Sequence, residues 1–444
     1  MKLQTVLNNE VGRDDTSLLK NHNIRVYYDL KREILEHKHV LLETCPGSGK
    51  SYITSQLIKN MNWKALILVT THAIEEQWNT LCEKYNLDVT VMTYQLFTKI
   101  KDDELNNFIN DFDIVVTDEA HHILANEWKN NLLYIRDNLQ QYILGLTADS
   151  IRWTDSQIDV AEEFFKFKVI GYTFNDIYEL KLAEPFTYVC GVYDKEALKK
   201  SIVKNLSSNI DNVLVGKLCT SIDNVAGVSD ILNKYKDKLP MHKIIVFVET
   251  RADLEEAQNY IRDLGCKIFT VHSSFGRSVN VKTLREFKDC QERAAIFCIN
   301  ILNEGVHIEG VDTVIMLRRT YVPNMYIQQI GRIVSIGAPS GTAVFDFVCN
   351  HINIANIYQF SFDNGDGLAK VRLKILSDQI IIDDYLAEVS ELLIKVYSYR
   401  AGKPYEQWED DIIREFYPEY GAEYCAALLP GRTPASIQTR AYIY

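Results

Sequence analysis

The segment Thr44-Cys45-Pro46-Gly47-Ser48-Gly49-Lys50-Ser51 narrows the choice of fold more than any other stretch of this chain. It lies between an apolar run at 40–43 and a stretch of helical period at 51–60. Gly47 and Gly49 let the backbone curl until successive N–H groups converge on an anion. The helix that follows presents its positive end to the same place. Further apolar runs at 65–70, 89–93, 113–117 and 142–146 alternate with helical stretches at 75–85 and 103–110. A second series occupies 243–248, 267–271, 294–298, 313–316 and 342–347. Short strands rich in Val, Ile and Leu that alternate with helices are covered on both faces. The prediction is an α/β protein with two parallel-sheet units in tandem.

A length of 444 residues accommodates about three domains. Residues 1–23 form a lead segment, 24–185 the first unit and 186–360 the second, with a helical insertion at about 193–240. Asn-Gly-Asp-Gly near 361–368 reads as a turn, 361–403 as a helical linker, and 404–444 as a small all-α unit. A net charge of −12 weighs against coating nucleic acid by bulk charge, although a local basic groove remains open. No apolar run approaches a membrane span, and the first ten residues lack a signal-peptide pattern. Nine cysteines without a C-x-x-C pair fit a reducing compartment, so the expected location is cytoplasmic and no membrane partner is expected.

The chemistry begins at the glycine turn. Pro46, Gly47, Ser48 and Gly49 form a cradle for phosphates, Lys50 can reach the β and γ phosphates, and Ser51 can ligate Mg²⁺. The apolar run at 113–117 ends in Asp118-Glu119-Ala120-His121-His122. A carboxylate at the end of a buried strand, Asp118, can hold the same Mg²⁺, and Glu119 can deprotonate the attacking water. The adjacent histidines lack the one-turn spacing of a zinc pair. Together the two segments point to hydrolysis of ATP, with ATP and Mg²⁺ as the expected ligands.

On these residues the chain resembles superfamily 2 helicases of the DEAD/DEAH class, which have two RecA-like domains. The resemblance spans roughly 24–360, with 44–51 similar to the phosphate-loop motif and 118–121 to the DEAH box. Gly145-Leu146-Thr147-Ala148 resembles the motif that couples nucleotide state to strand movement, which implies coupling roles for His121 and Thr147. Asn303-Glu304-Gly305-Val306 and Gln328-Gln329-Ile330-Gly331-Arg332 resemble the last two motifs. The resemblance implies nucleotide contact at Gly305 and catalytic roles for Gln328 and Arg332. Thr71, Thr93-Tyr94-Gln95 and Thr250-Arg251 fall where the family touches the nucleic-acid backbone, contacts that position a strand without reading it. Three positions depart from the family pattern. Tyr28 stands in the place of the adenine-reading glutamine, leaving Arg25 and Tyr27 to pack near a base. His307 replaces an aspartate, and Ser335 replaces the second arginine of the last motif.

The last forty residues read as helix, helix, turn, helix and resemble a Myb/SANT-like helix-turn-helix, with Trp408 and Gly431-Arg432-Thr433-Pro434 as markers. In such folds the last helix enters the major groove, which would aim Arg432, Ser436, Gln438, Thr439 and Arg440 at DNA. Residues 402–444 hold four basic side chains against seven acidic ones, but none of the acids lies beyond Arg432. Binding of protein, or capping of the motor, is the rival reading of these helices. The chain is thus expected to be an ATP-dependent helicase or translocase acting on DNA, with RNA still open. The alternatives are a nucleotide-gated DNA sensor with weak turnover, motivated by Ser335, and the motor of a restriction or phage-defence complex with protein partners.

Overall fold

The computed structural model describes residues 14–100, 102–125, 128–152, 158–205, 212–272, 274–299, 308, 310–320, 322–334, 336, 338–348, 350, 379–389, 392, 405, 407–429, 432 and 434–441. Gly305, His307 and Ser335 lie outside them, as do Asn303, Glu304 and Val306.

The first sheet contains β1 (His39–Glu43), β2 (Ala65–Val69), β3 (Val89–Thr93), β4 (Ile114–Asp118) and β5 (Tyr142–Thr147). The short strands β6 (Ile151–Arg152) and β7 (Ile158–Asp159) pair with each other, and β8 (Phe167–Ile170) completes the main sheet. Its order is β3-β2-β4-β5-β1-β8, every pair parallel. All five residues of β2 are buried, as helices on both faces require. β4 and β1 flank β5, so the segments after these three strands open on one edge of the sheet, the usual place for a ligand in an open parallel sheet.

The second sheet contains β9 (Thr187–Cys190), β10 (Lys243–Val248), β11 (Lys267–His272), β12 (Ala294–Ile299), β13 (Thr313–Leu317), β14 (Ala343–Asp346) and β15 (Ile381–Asp384). The order is β11-β12-β10-β13-β14-β9-β15, again parallel throughout. Helices at Lys195–Asn205, Asn212–Asn224 and Val228–Tyr235 fill the stretch between β9 and β10. One expectation is corrected here. The linker at 361–403 is not helical throughout, because Ile381–Asp384 extends and pairs with β9. Three consecutive isoleucines, 380–382, favour a pleated strand over a helix through their stiff β-branched side chains.

A buried polar chain holds the helix Pro323–Ile330 to this sheet. Tyr326 Oη donates to Tyr188 Oη and Tyr188 Oη to Asp346 Oδ2, each at 2.7 Å. Burial pushes both phenols far above their usual range, so they remain donors.

The C-terminal residues form helices at Gln407–Leu428, interrupted at Gly421 (φ 78°, ψ −176°), and at Pro434–Ala441. Their small core comprises Ile413, Cys425, Leu429 and Ile437. Among the described residues no helix is long and apolar enough to cross a membrane.

Candidate nucleotide site and nucleic-acid interface

β1 runs into the phosphate loop, and the loop is pinned from below. Thr44 Oγ1 accepts from Tyr172 N–H at 2.8 Å, and Cys45 N–H donates to Tyr172 O at 2.8 Å. Ser48 Oγ donates to Cys45 O at 2.7 Å. Gly47 (φ 72°) and Gly49 (φ 98°) take left-handed conformations, and a Cβ on Gly49 would lie 2.4 Å from Asn23 Nδ2. The helix Lys50–Met61 starts directly from Gly49 without a side-chain cap, so its first N–H groups face the loop. Lys50 Nζ reaches back to Thr44 O at 3.2 Å. This uncapped, lysine-bearing turn has the chemistry of a polyphosphate cradle.

At the end of β4 the Asp118 carboxylate is fixed on both oxygens. Oδ2 accepts from Trp78 Nε1 at 2.8 Å and Oδ1 from Glu119 N–H at 3.0 Å. Glu119 is buried and left-handed (φ 50°, ψ 53°), an uncommon state for glutamate that marks a constrained site. His121 Nδ1 lies 3.2 Å from Thr147 Oγ1 at the end of β5 and 3.7 Å from Glu119 Oε2. The two residues assigned coupling roles thus meet.

The second domain reaches this edge through Gly331. A Cβ there would stand 2.5 Å from Pro46 Cβ, so the turn that begins with Gly331 and Arg332 packs directly on the phosphate loop. Asn324 Nδ2 also crosses between domains, donating to Ile151 O at 2.9 Å. Gln328 is buried with no partner on Oε1 among the described residues, and Gln329 accepts from Thr320 Oγ1 at 3.1 Å. Arg332 lies near the end of β12, where burial pushes the Cys298 thiol far up and the guanidinium works against that rise. Cys45, inside the loop, is buried and its thiol is pushed up to about 12 by burial, which makes it inert.

On the outer part of the edge, Thr71 caps the helix His72–Tyr85 by accepting from Ile74 N–H. Thr93 caps Tyr94–Phe97 by accepting from Leu96 N–H, and it is buried. The Thr93 hydroxyl is therefore a cap and not a surface contact, a correction to the sequence reading. Thr250 and Arg251 are exposed after β10, and Arg251 contacts His272 and Ser274. Arg25 lies on the helix Asn23–His37, donates to Gly171 O at 3.3 Å, pairs with Asp29 and lies over the Tyr172 ring. Tyr27, beside it, is fully buried and bonds Asp14 and Asn60, so it cannot meet a base.

The C-terminal arginines depart furthest from expectation. Arg432 grips Glu409 with two bonds, Nε to Oε1 at 2.9 Å and Nη2 to Oε2 at 2.7 Å, and both side chains are buried. Arg440 grips Asp410 the same way at 2.8 and 2.6 Å. Both guanidinium groups lie over the Tyr405 ring, at 3.8 and 5.2 Å. Arg432 is therefore an internal strut and Arg440 a half-buried one, because acids on the first helix supply their counter-charges. Gln438 and Thr439 are exposed, and the Ser436 side chain lies outside the described residues. Trp78, which donates to the Asp118 carboxylate, was not singled out from the sequence, and Tyr94, noted there only beside the backbone contacts, instead donates to Asp118 O.

Two family models match: "Helicase conserved C-terminal domain" over residues 225–337 and "Type III restriction enzyme, res subunit" over 79–152. The chain is 22% identical over 345 residues to "Putative helicase 22" of Sulfolobus islandicus filamentous virus, covering 70% of this chain and 60% of that protein. It is 20% identical over 331 residues to "Putative ATP-dependent helicase IRC3" of Saccharomyces cerevisiae, covering 66% and 46%. The chain thus spans less than two thirds of either relative. Among solved structures, the ATP-dependent Type ISP restriction-modification enzyme LlaBIII bound to DNA aligns with TM-score 0.57 and 13% identity, over 93% of this chain and 35% of that one. S. cerevisiae Dbp5 bound to RNA and ADP BeF3 aligns with TM-score 0.52 and 14% identity, over 87% of this chain and all of that one. At such identities the likeness is one of fold. Each of the two parallel-sheet domains that meet at the phosphate loop thus carries one of these matches, and the chain is similar in sequence to proteins named as helicases.

Proposed function

We propose that this protein is an ATP-driven motor on nucleic acid. The observation that carries the reading is the seat of Gly331 on Pro46, which brings the Arg332 turn of one domain against the phosphate loop of the other. A nucleotide held at that seam touches both domains, so its hydrolysis changes how they fit together. Pro46 to Ser51 bind the phosphates, Lys50 neutralises them, and Arg25 lies beside the loop for the base. Glu119, buried and rigid, accepts a proton from water, while Arg332 stabilises charge developing on the transferred phosphoryl and Gln328 orients its surroundings. Gly305 contributes from the second domain. Ser51 and Asp118 are the residues that would hold Mg²⁺, and their oxygen donors suit that hard cation. When bound, Mg²⁺ would offset phosphate charge. The contact between His121 and Thr147 carries nucleotide state into β5.

Exposed Thr71, Thr250 and Arg251 supply backbone contacts that track a strand. Relatives of this fold are solved with RNA and with DNA, and we favour DNA on the restriction-type match over 79–152. That match also supports the second reading, a motor subunit that works beside protein partners in the cytoplasm. The C-terminal helices, read as a helix-turn-helix, present Gln438 and Thr439 to DNA without the help of Arg432. The test is ATPase turnover of wild type and Lys50→Ala with single-stranded, double-stranded and branched DNA and RNA. Stimulation by nucleic acid in wild type alone is expected, and equal turnover in the two proteins would refute the reading.

A further inference from the structure

We propose that Trp78 is a positioning residue for Asp118 and ties that carboxylate to nucleic acid bound at the start of its own helix, an inference that rests on the motor reading above. A carboxylate rotates easily about its last torsion, yet here the indole N–H holds one oxygen and the Glu119 N–H the other. Trp78 is 3% exposed and close-packed, so the indole moves only if the helix His72–Tyr85 moves. Thr71 caps that helix about two turns away, at an exposed position on the strand-end surface. A phosphate drawn to the first turn therefore acts on Asp118 through one rigid element.

A second aromatic converges on the same residue. Tyr94 follows Thr93 at the end of β3, and its hydroxyl donates to Asp118 O at 2.9 Å. The ring is fully buried and lies flat on Trp128, with centroids 4.6 Å apart and planes 7° from parallel. Each of the two segments after β2 and β3 thus sends one aromatic donor to Asp118. Packing alone does not require this, because phenylalanine would fill nearly the space of Tyr94 without its hydroxyl and β4 is already paired on both sides with β2 and β5.

The test compares wild type, Trp78→Phe and Tyr94→Phe in the full chain. Two quantities are read: the ratio of ATPase turnover with and without single-stranded DNA, and binding of a fluorescent ATP analogue as Mg²⁺ is titrated. In Trp78→Phe the stimulation ratio is expected to fall roughly tenfold, the scale of one hydrogen bond to a charged group. The Mg²⁺ midpoint for analogue binding rises, while binding without Mg²⁺ is unchanged. Tyr94→Phe shifts both in the same direction by less, since it loses a bond to a neutral carbonyl, and it stands in if Trp78→Phe does not fold. An equal loss of basal and stimulated turnover, with an unmoved Mg²⁺ midpoint, would mean that the indole only fills space and would overturn the inference. A wild type whose ATPase ignores nucleic acid would instead refute the motor reading itself.

Discussion

The phosphate-loop edge and the C-terminal helices both concentrate charged residues, and they treat them in opposite ways. At the edge, among the described residues, Lys50 donates only to a backbone carbonyl, 3.2 Å away, and the helix behind it starts uncapped. In the C-terminal helices, Arg432 and Arg440 are each held by two bonds to a carboxylate and lie over one tyrosine ring. A cation marks a binding site when the fold leaves its charge unanswered. When the fold supplies the acid, the same residue becomes internal structure.

The comparison breaks most severely if Lys50→Ala retains turnover. Loss of the cation at the phosphates is expected to cut ATPase activity by about 10³ or more, measured at saturating ATP and nucleic acid. Next comes the C-terminal strut. Arg432→Ala leaves Glu409 charged and buried, which is expected to destabilise these helices by about 3–5 kcal/mol while leaving core ATPase intact. Replacing both residues, Arg432→Met with Glu409→Leu, restores most of the loss. Calorimetry and helical circular dichroism check this, and a neutral Arg432→Ala would return that arginine to the candidate DNA contacts. Gly331→Ala sharpens the edge side of the comparison. Its methyl would collide with Pro46, and turnover is expected to fall roughly 10²-fold while nucleotide binding to the first domain persists. The smallest effect concerns Cys45. With its thiol pushed up to about 12, the reactive thiolate forms only as pH nears that value, about one part in 10⁴ at pH 8. Peptide mapping after iodoacetamide is expected to find Cys45 unmodified long after the partly exposed Cys219 and Cys290.

The core strands were legible because a strand buried on both faces must be an unbroken apolar run, as in Ala65–Val69. β8, β9 and β15 were not, for they are short edge or near-edge strands, and β15 ends in two aspartates. The phosphate loop and the Asp118 segment were legible because their chemistry is local: a glycine turn, a lysine, a carboxylate at a strand end. Arg432 was misread because its partner, Glu409, lies 23 residues away and only the tertiary fold brings them together. Trp78 was missed for the same reason, since its indole meets Asp118 across 40 residues of sequence.

The placement of β15 has a consequence for synthesis on the ribosome. Among the described residues, the first sheet has all its strands once Ile170 has emerged, whereas the second gains its last strand only with Asp384. Between those moments β9, a Thr-Tyr-Val-Cys strand, is a bare apolar edge of the kind that recruits other chains. The late strand caps it and leaves Asp383 and Asp384 on the new border, with Asp383 facing Lys234 and Tyr235. Chains truncated before residue 380 are thus liable to aggregate through β9 even though every residue of the phosphate loop has already been made.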